Sequence, residues 1–166
     1  MNFLITGATS GLGKELFNSL SKNPSYNFFL LSKNIDELNN IKKIKKEVKI
    51  YHLDLNEIKK TETIANQILN DSQNKIDVII CNAAEGAFGS INEIPTDKFL
   101  SNFNINFFSH LILIKSIYPT MKSRNFGHII NISSGMGIFG FEDSSSYSMS
   151  KSCMQILIES IHMENT

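Results

Sequence analysis

The stretch TGATSGLG, residues 6–13, joins a short apolar run, NFLIT (2–6), to a segment with helical spacing. In such a turn Gly7 permits the tight bend, Gly11 lets a ligand come close to the main chain, and Gly13 lets the helix pack on the strand. Free N–H groups and the positive end of the helix dipole then favour a pyrophosphate group. The stretch therefore predicts a strand–turn–helix unit with an anion site, the alternative being a plain strand-to-helix turn.

Short apolar runs and helical segments alternate through the rest of the chain. The runs, rich in isoleucine, valine and phenylalanine, read as buried strands: FFLLS (28–32), VKIYHL (48–53), IDVIIC (76–81) and HIINIS (128–133). Helical spacing covers residues 12–22, 35–46, 57–70, 96–123 and 147–163. This alternation predicts an α/β fold in which helices cover both faces of a parallel sheet.

Composition limits the classes of function. The 166 residues favour one domain, and 16 basic residues balance 16 acidic ones, which gives no indication of nucleic acid or of an anionic membrane as partner. No apolar run reaches the length of a membrane span. The two cysteines, Cys81 and Cys153, predict a reduced, cytoplasmic protein without disulfides, and the four histidines lack metal-ligand spacing, so we expect no metal.

The glycine spacing T-G-x-x-x-G-x-G resembles that of the short-chain dehydrogenase/reductase family, in its shorter form. Further motifs of this family follow in order. Asp54 and Leu55 resemble its adenine-pocket motif, and CNAA (81–84) resembles its N-N-A-G, with Asn82 and Ala83 matching and Cys81 and Ala84 departing. Asn106 in NINFF, Ser134 in NISS and the pair Tyr147 and Lys151 in YSMSK complete the set.

The resemblance implies a Rossmann-like doubly wound sheet with strand order 3-2-1-4-5. It also implies that residues 1–166 form a single dinucleotide-binding domain that is incomplete at its C-terminal end, because strands 6 and 7 of the family are missing. The strand at 128–133 would then be an unprotected edge, and Ile156, Leu157 and Ile161 would lose part of their cover.

The catalytic residues implied are Asn106, Ser134, Tyr147 and Lys151. Tyrosine is ordinarily a poor proton donor or acceptor at neutral pH, but a lysine four residues later lies on the same helix face and favours the phenolate. Tyr147 is therefore interpreted as the general acid/base and Lys151 as its tuner. Ser134 would hold the substrate oxygen. The resemblance implies that Lys151 also binds the nicotinamide ribose and that Asn106 supports a water-linked proton path.

The expected cofactor is NADP, with NAD as the alternative. An acidic residue after the second strand favours NAD, and a basic residue there favours NADP. This chain has Ser32 and Lys33 at that place, and a hydroxyl and a cation suit the 2′-phosphate of NADP. The predicted cofactor-binding set contains residues from every motif: Gly7, Thr9, Ser10, Gly11, Leu12, Gly13, Ser32, Lys33, Asp54, Leu55, Asn82, Ala83, Ala84, Tyr147 and Lys151.

The implied function is hydride transfer between this cofactor and a carbonyl or alcohol substrate. The residues leave the substrate open among thioesters, sugars, steroid-like compounds and small carbonyls, although Glu142 and Asp143 disfavour an anion. The alternative is a catalytically inactive remnant that binds nucleotide or pairs with an intact relative. The resemblance also implies a homo-oligomer formed through the helices at 96–123 and 147–163.

Overall fold

The computed structural model describes residues 1–164; positions 165 and 166, the last two of the predicted domain, lie outside the described residues. Each predicted apolar run forms a strand, and all five pair in parallel. The strands are β1 (Asn2–Thr6), β2 (Asn27–Ser32), β3 (Lys49–His52), β4 (Val78–Cys81) and β5 (His128–Asn131). Their order is β3-β2-β1-β4-β5, as the family resemblance implied.

Helices connect the strands and cover the sheet. Their bounds are α1 (Gly11–Leu20), α2 (Ile35–Ile44), α3 (Ile58–Asp71), α4 (Thr96–Phe103), α5 (Ser109–Ser123) and α6 (Ser145–Met163). Two apolar cores result, one on each face of the sheet. Residues of α1 and α2 pack in one core, and residues of α3, α5 and α6 pack in the other. The α/β fold predicted from alternating runs is confirmed.

The long helix predicted at 96–123 differs from a continuous α-helix. A single π-helical turn, Asn104–Phe108, separates α4 from α5. Asn106 lies in this turn, and its amide bonds to groups on other elements of the fold. The side chain bonds Glu85, just after β4, and so lies near the carboxyl ends of the strands, where a ligand site is expected in an open parallel sheet.

β5 forms one edge of the sheet and pairs with β4 on its inner side. Within residues 1–164 no further strand pairs with it. Ile156 on α6 is 63% exposed, whereas Leu157 and Ile161 are partly buried against the core. In the same part of the chain, no helix is both long and apolar enough to span a bilayer.

Candidate active site

The glycine turn is fixed by Asn82, which follows β4. Its Nδ2 donates to the main-chain oxygens of Thr6, at 3.0 Å, and Gly7, at 3.3 Å. Gly7 has a φ of +66°, a left-handed conformation that a side chain would strain. A Cβ on Gly13 would overlap the Gly7 oxygen and the Asn82 amide. The turn therefore needs both glycines, and the first turn of α1 carries no acidic side chain that would repel an anion.

A groove of about 350 Å³ lies beside this turn, at the carboxyl ends of the strands. Its volume is in the range of small-molecule sites. Most of the predicted cofactor-binding residues line it, namely Gly7, Thr9, Ser10, Ser32, Lys33, Asp54, Leu55, Asn82, Ala83 and Ala84. The remaining predicted residues do not: Gly13 packs beneath the turn, Gly11 and Leu12 are exposed at the start of α1, and Tyr147 and Lys151 lie on α6.

Ser32 and Lys33 occupy different environments at the end of β2. Ser32 is buried; its Oγ lies 2.6 Å from Thr9 Oγ1 and accepts the Asn34 N–H at 3.1 Å. Lys33 is exposed, and its Nζ lies 3.5 Å from Glu85 Oε2. Of the two side chains proposed for a 2′-phosphate, the serine is therefore bonded within the protein, and the lysine faces the groove beside a carboxylate.

Lys151 and Tyr147 lie one turn apart on α6. Lys151 is only 4% exposed, and its ammonium donates to the main-chain oxygen of Ile132 at 2.8 Å, just after β5. Its Nζ also lies 5.9 Å from the centroid of the half-buried Tyr147 ring. Burial lowers the pKa of the Lys151 ammonium below its ordinary value. A buried ammonium beside a phenol is typical of a functional site. Burial of the charge costs desolvation free energy, so a purely structural role does not explain it well.

Asn106 is buried, and its side chain joins two other parts of the site. Its Oδ1 accepts the Glu85 N–H at 2.8 Å, and its Nδ2 donates to the Glu85 main-chain oxygen at 2.8 Å. The same Nδ2 lies 2.9 Å from Ser150 Oγ, next to Lys151. Asn106 therefore links the segment after β4 to the helix that carries Tyr147 and Lys151.

Ser134 lies between β5 and α6. Its Oγ accepts the Met136 N–H at 3.2 Å, which starts a short 3₁₀ turn at Gly135–Gly137. This turn is fastened to α6 by Ser152, whose hydroxyl donates to the Gly137 main-chain oxygen at 2.6 Å. The hydroxyl proton of Ser134 remains available to a substrate oxygen, because in the Met136 contact Ser134 only accepts.

Two residues of the site were not predicted from the sequence. His110, 1% exposed, lies with Nδ1 3.3 Å from the Asn106 main-chain oxygen. Its position four residues after Asn106 puts it on the same helix face, a signal that could have identified it. Glu85 directly follows the CNAA motif, and its carboxylate reaches Lys33. By contrast, burial raises the pKa of the Cys81 thiol to about 12, so this cysteine is a core residue and not a nucleophile of the site.

Similarity to known proteins extends over the whole chain. The family model described as short chain dehydrogenase matches residues 2–166. The 3-ketodihydrosphingosine reductase of Dictyostelium discoideum is 28% identical, with 98% of this chain and 55% of that protein covered. Among solved structures, ElxO with NADP bound is 26% identical with a TM-score of 0.83, covering 94% of this chain and 64% of that one. NAD⁺-bound xylitol dehydrogenase is 24% identical with a TM-score of 0.86, covering 98% and 64%.

The chain thus spans about half the length of the reductase that it matches. The match of the family model over nearly all residues agrees with the sheet order, the glycine turn and the arrangement around Tyr147. This chain belongs to the short-chain dehydrogenase family.

Proposed function

We propose that this chain carries out hydride transfer between a nicotinamide dinucleotide and a carbonyl or alcohol, with Tyr147 as general acid/base. The observation that supports this most strongly is the buried Lys151 ammonium beside the Tyr147 ring. The bound cofactor would supply or receive the hydride, and the residues of the chain handle the proton and position the oxygen.

Each polar residue has a role that follows from its surroundings. Tyr147 gives its phenolic proton to the substrate oxygen during reduction and takes it back during oxidation. Lys151 is held by the Ile132 main-chain oxygen, so its positive charge stays near the phenol when the proton leaves. Ser134 donates a hydrogen bond to the same substrate oxygen and so fixes the direction of attack.

Asn106 acts through position. Because it holds both main-chain groups of Glu85, it fixes the start of the segment 85–95 that borders the substrate side. Because it also bonds Ser150, it fixes the first turns of α6. The proposed water-linked proton path from Lys151 would run beside this amide.

The cofactor is held by the groove. Gly7 forms the bend, Gly13 lets α1 pack beneath it, Gly11 leaves room for the pyrophosphate beside the main chain, and the first turn of α1 presents its N–H groups. Asp54 accepts a hydrogen bond from the adenine. Lys33 supplies the positive charge for a 2′-phosphate, and this charge supports NADP as the cofactor. ElxO has NADP bound and xylitol dehydrogenase has NAD⁺ bound, which supports a nicotinamide dinucleotide in either form.

The substrate is an uncharged compound with an apolar arm. The Phe88 ring centroid lies 5.6 Å from that of Tyr147, and Phe88 is 61% exposed. Ile138 and Phe139, on the loop between β5 and α6, are also exposed, and acidic Asp143 is on the same loop. An apolar wall with acidic neighbours disfavours anions. The name of the Dictyostelium relative, 3-ketodihydrosphingosine reductase, supports a ketone as substrate.

The test is NADPH and NADH oxidation with a panel of alkyl and aryl ketones. We expect turnover that Tyr147→Phe abolishes, while Tyr26→Phe, which removes a hydroxyl beside Phe3 and distant from the groove, leaves it intact. Cofactor binding by a chain without any turnover would contradict the proposal and favour the inactive, nucleotide-binding alternative.

A further inference from the structure

Two charged side chains face each other across the groove. Lys33 follows β2 and Glu85 follows β4, and both line the cavity. In the sheet β1 lies between these two strands, so the 3.5 Å contact between Lys33 Nζ and Glu85 Oε2 passes over the end of β1. The ion pair therefore crosses the groove beside the glycine turn.

Lys33 is the group at this end of the groove that can receive a phosphate. The neighbouring Ser32 hydroxyl is buried against Thr9 and also accepts from the Asn34 N–H. An anion bound at the end of β2 consequently depends on the Lys33 ammonium, and Glu85 already occupies that ammonium.

The main chain of Glu85 cannot withdraw from this position. Its N–H and its carbonyl are both bonded to the buried Asn106 side chain, each at 2.8 Å. These two bonds keep the Cα of Glu85 at the groove, so its carboxylate can reach Lys33 or a ligand that Lys33 holds.

We propose that Glu85 sets the balance between NADP and NAD by competing with the 2′-phosphate for Lys33. The inference rests on the proposed function, since it assumes that the groove holds the adenosine part of a nicotinamide dinucleotide. A 2′-phosphate must displace the carboxylate from Lys33, which costs the ion pair, or share the lysine with it, which brings two negative charges together. A free 2′-hydroxyl can instead donate to the same carboxylate. Glu85 thus reduces the NADP preference that Lys33 alone would give.

The test compares two nucleotides that differ only in the phosphate of interest, adenosine 2′,5′-bisphosphate and adenosine 5′-monophosphate, by isothermal titration calorimetry. We expect Glu85→Gln to tighten binding of the bisphosphate roughly two- to fivefold, the upper part of the range for an exposed ion pair, and to leave the monophosphate unchanged or slightly weaker. The glutamine keeps the main-chain bonds to Asn106. Glu142→Gln is the matched control, since it removes a carboxylate from the loop before α6, and it should leave both affinities unchanged.

A double substitution isolates the competition. In a Lys33→Met background Glu85→Gln should lose most of its selective effect, because the cation for which the two anions compete is gone. Equal tightening of both nucleotides, or no change in either, would overturn the inference while leaving the proposed function intact. If the unmodified chain binds neither nucleotide, the proposed function fails and the inference with it.

Discussion

Thr6 Oγ1 lies 2.9 Å from His110 Nε2, and this contact joins the glycine turn to the helix of Asn106. Thr6 Oγ1 also accepts the N–H groups of Asn82 and Ala83, each at 3.0 Å. The other ring nitrogen, Nδ1, faces the Asn106 main-chain oxygen, which can only accept. These partners assign the proton to Nδ1 and make Nε2 an acceptor for the Thr6 hydroxyl, which also lies 3.3 Å from the main-chain oxygen of Ile80. His110 is therefore a neutral, fully bonded histidine between the cofactor turn and the proposed proton path.

This arrangement predicts a loss of stability in acid. Burial lowers the pKa of His110 to about 4, whereas an unfolded histidine titrates near 6.5. Between these values the unfolded chain takes up a proton that the folded chain does not, so stability is complete above pH 6.5 and falls as the pH is lowered toward 4. The expected loss of unfolding free energy is on the order of 3 kcal/mol. Urea unfolding at a series of pH values between 4 and 8 measures it.

A non-titrating variant separates this effect from others of the same sign. Burial alone would raise the pKa of Asp77, but bonds from Arg124 and the Asn2 N–H hold that pKa below its usual range. The contribution of Asp77 to the unfolding free energy is therefore also lost in acid. His110→Gln should flatten the pH dependence above pH 4 relative to the unmodified chain. His52→Gln, at an exposed position, should leave it unchanged. Equal slopes in all three proteins would show that His110 does not titrate as proposed.

The fold was largely predictable because its signals are local. A parallel strand buried on both faces reads as an uninterrupted apolar run, and residues 28–31 and 78–81 show this plainly. The π-helical turn at Asn104–Phe108 was not predictable, because NINFF fits an α-helix as well. What favours the turn are bonds from Asn106 to Glu85 and Ser150, which lie far away in sequence.

The sequence predicted which residues form the site better than it predicted which of their side chains contact one another. The motifs identified the glycine turn, Asn82 and the pair Tyr147 and Lys151, since each has a fixed spacing. They gave no indication that the Ser32 hydroxyl would bond Thr9 or that Glu85 would meet Lys33. Such pairings depend on which strand ends adjoin in the sheet, and a local pattern does not contain that information.

Replacing Lys151 by methionine should separate activity from stability. The native fold buries its ammonium against a single main-chain oxygen, and the lowered pKa shows that burial opposes the charge. Methionine fills similar space without that penalty, so the unfolding free energy should stay equal or rise by up to about 1 kcal/mol. Turnover should fall at least about a hundredfold. Chemical unfolding and ketone reduction measure the two quantities.

Lys115→Met provides the comparison for this prediction, because Lys115 is an exposed lysine on α5. It should change neither stability nor turnover. A loss of about 3 kcal/mol in Lys151→Met, as in a truncated core side chain, would instead mean that the ammonium stabilises the fold.

Asn106→Ala should loosen the segment 85–95. The substitution leaves the N–H and carbonyl of Glu85 without their partners, and unmet main-chain groups in a partly buried place cost about 1 to 3 kcal/mol. We expect faster hydrogen exchange at the Glu85 amide and reduced turnover. Asn104→Ala removes an exposed amide contact to Asn56 from the same π-helical turn and should change neither. Unaltered exchange in Asn106→Ala would contradict the role of Asn106 as the fastener of this segment.

Phe88→Ala should weaken binding of apolar substrates more than it slows chemistry. The ring lies against Tyr147 and is largely exposed, so it can cover an alkyl or aryl arm without supporting the core. Loss of that contact, about 1 to 2 kcal/mol, should raise KM for an aryl ketone roughly tenfold and leave kcat nearly unchanged. Phe126→Ala, at the opposite end of the sheet before β5, is the matched control and should alter neither constant. An equal rise in KM for a small, polar ketone would show that Phe88 positions Tyr147 and does not contact the apolar arm.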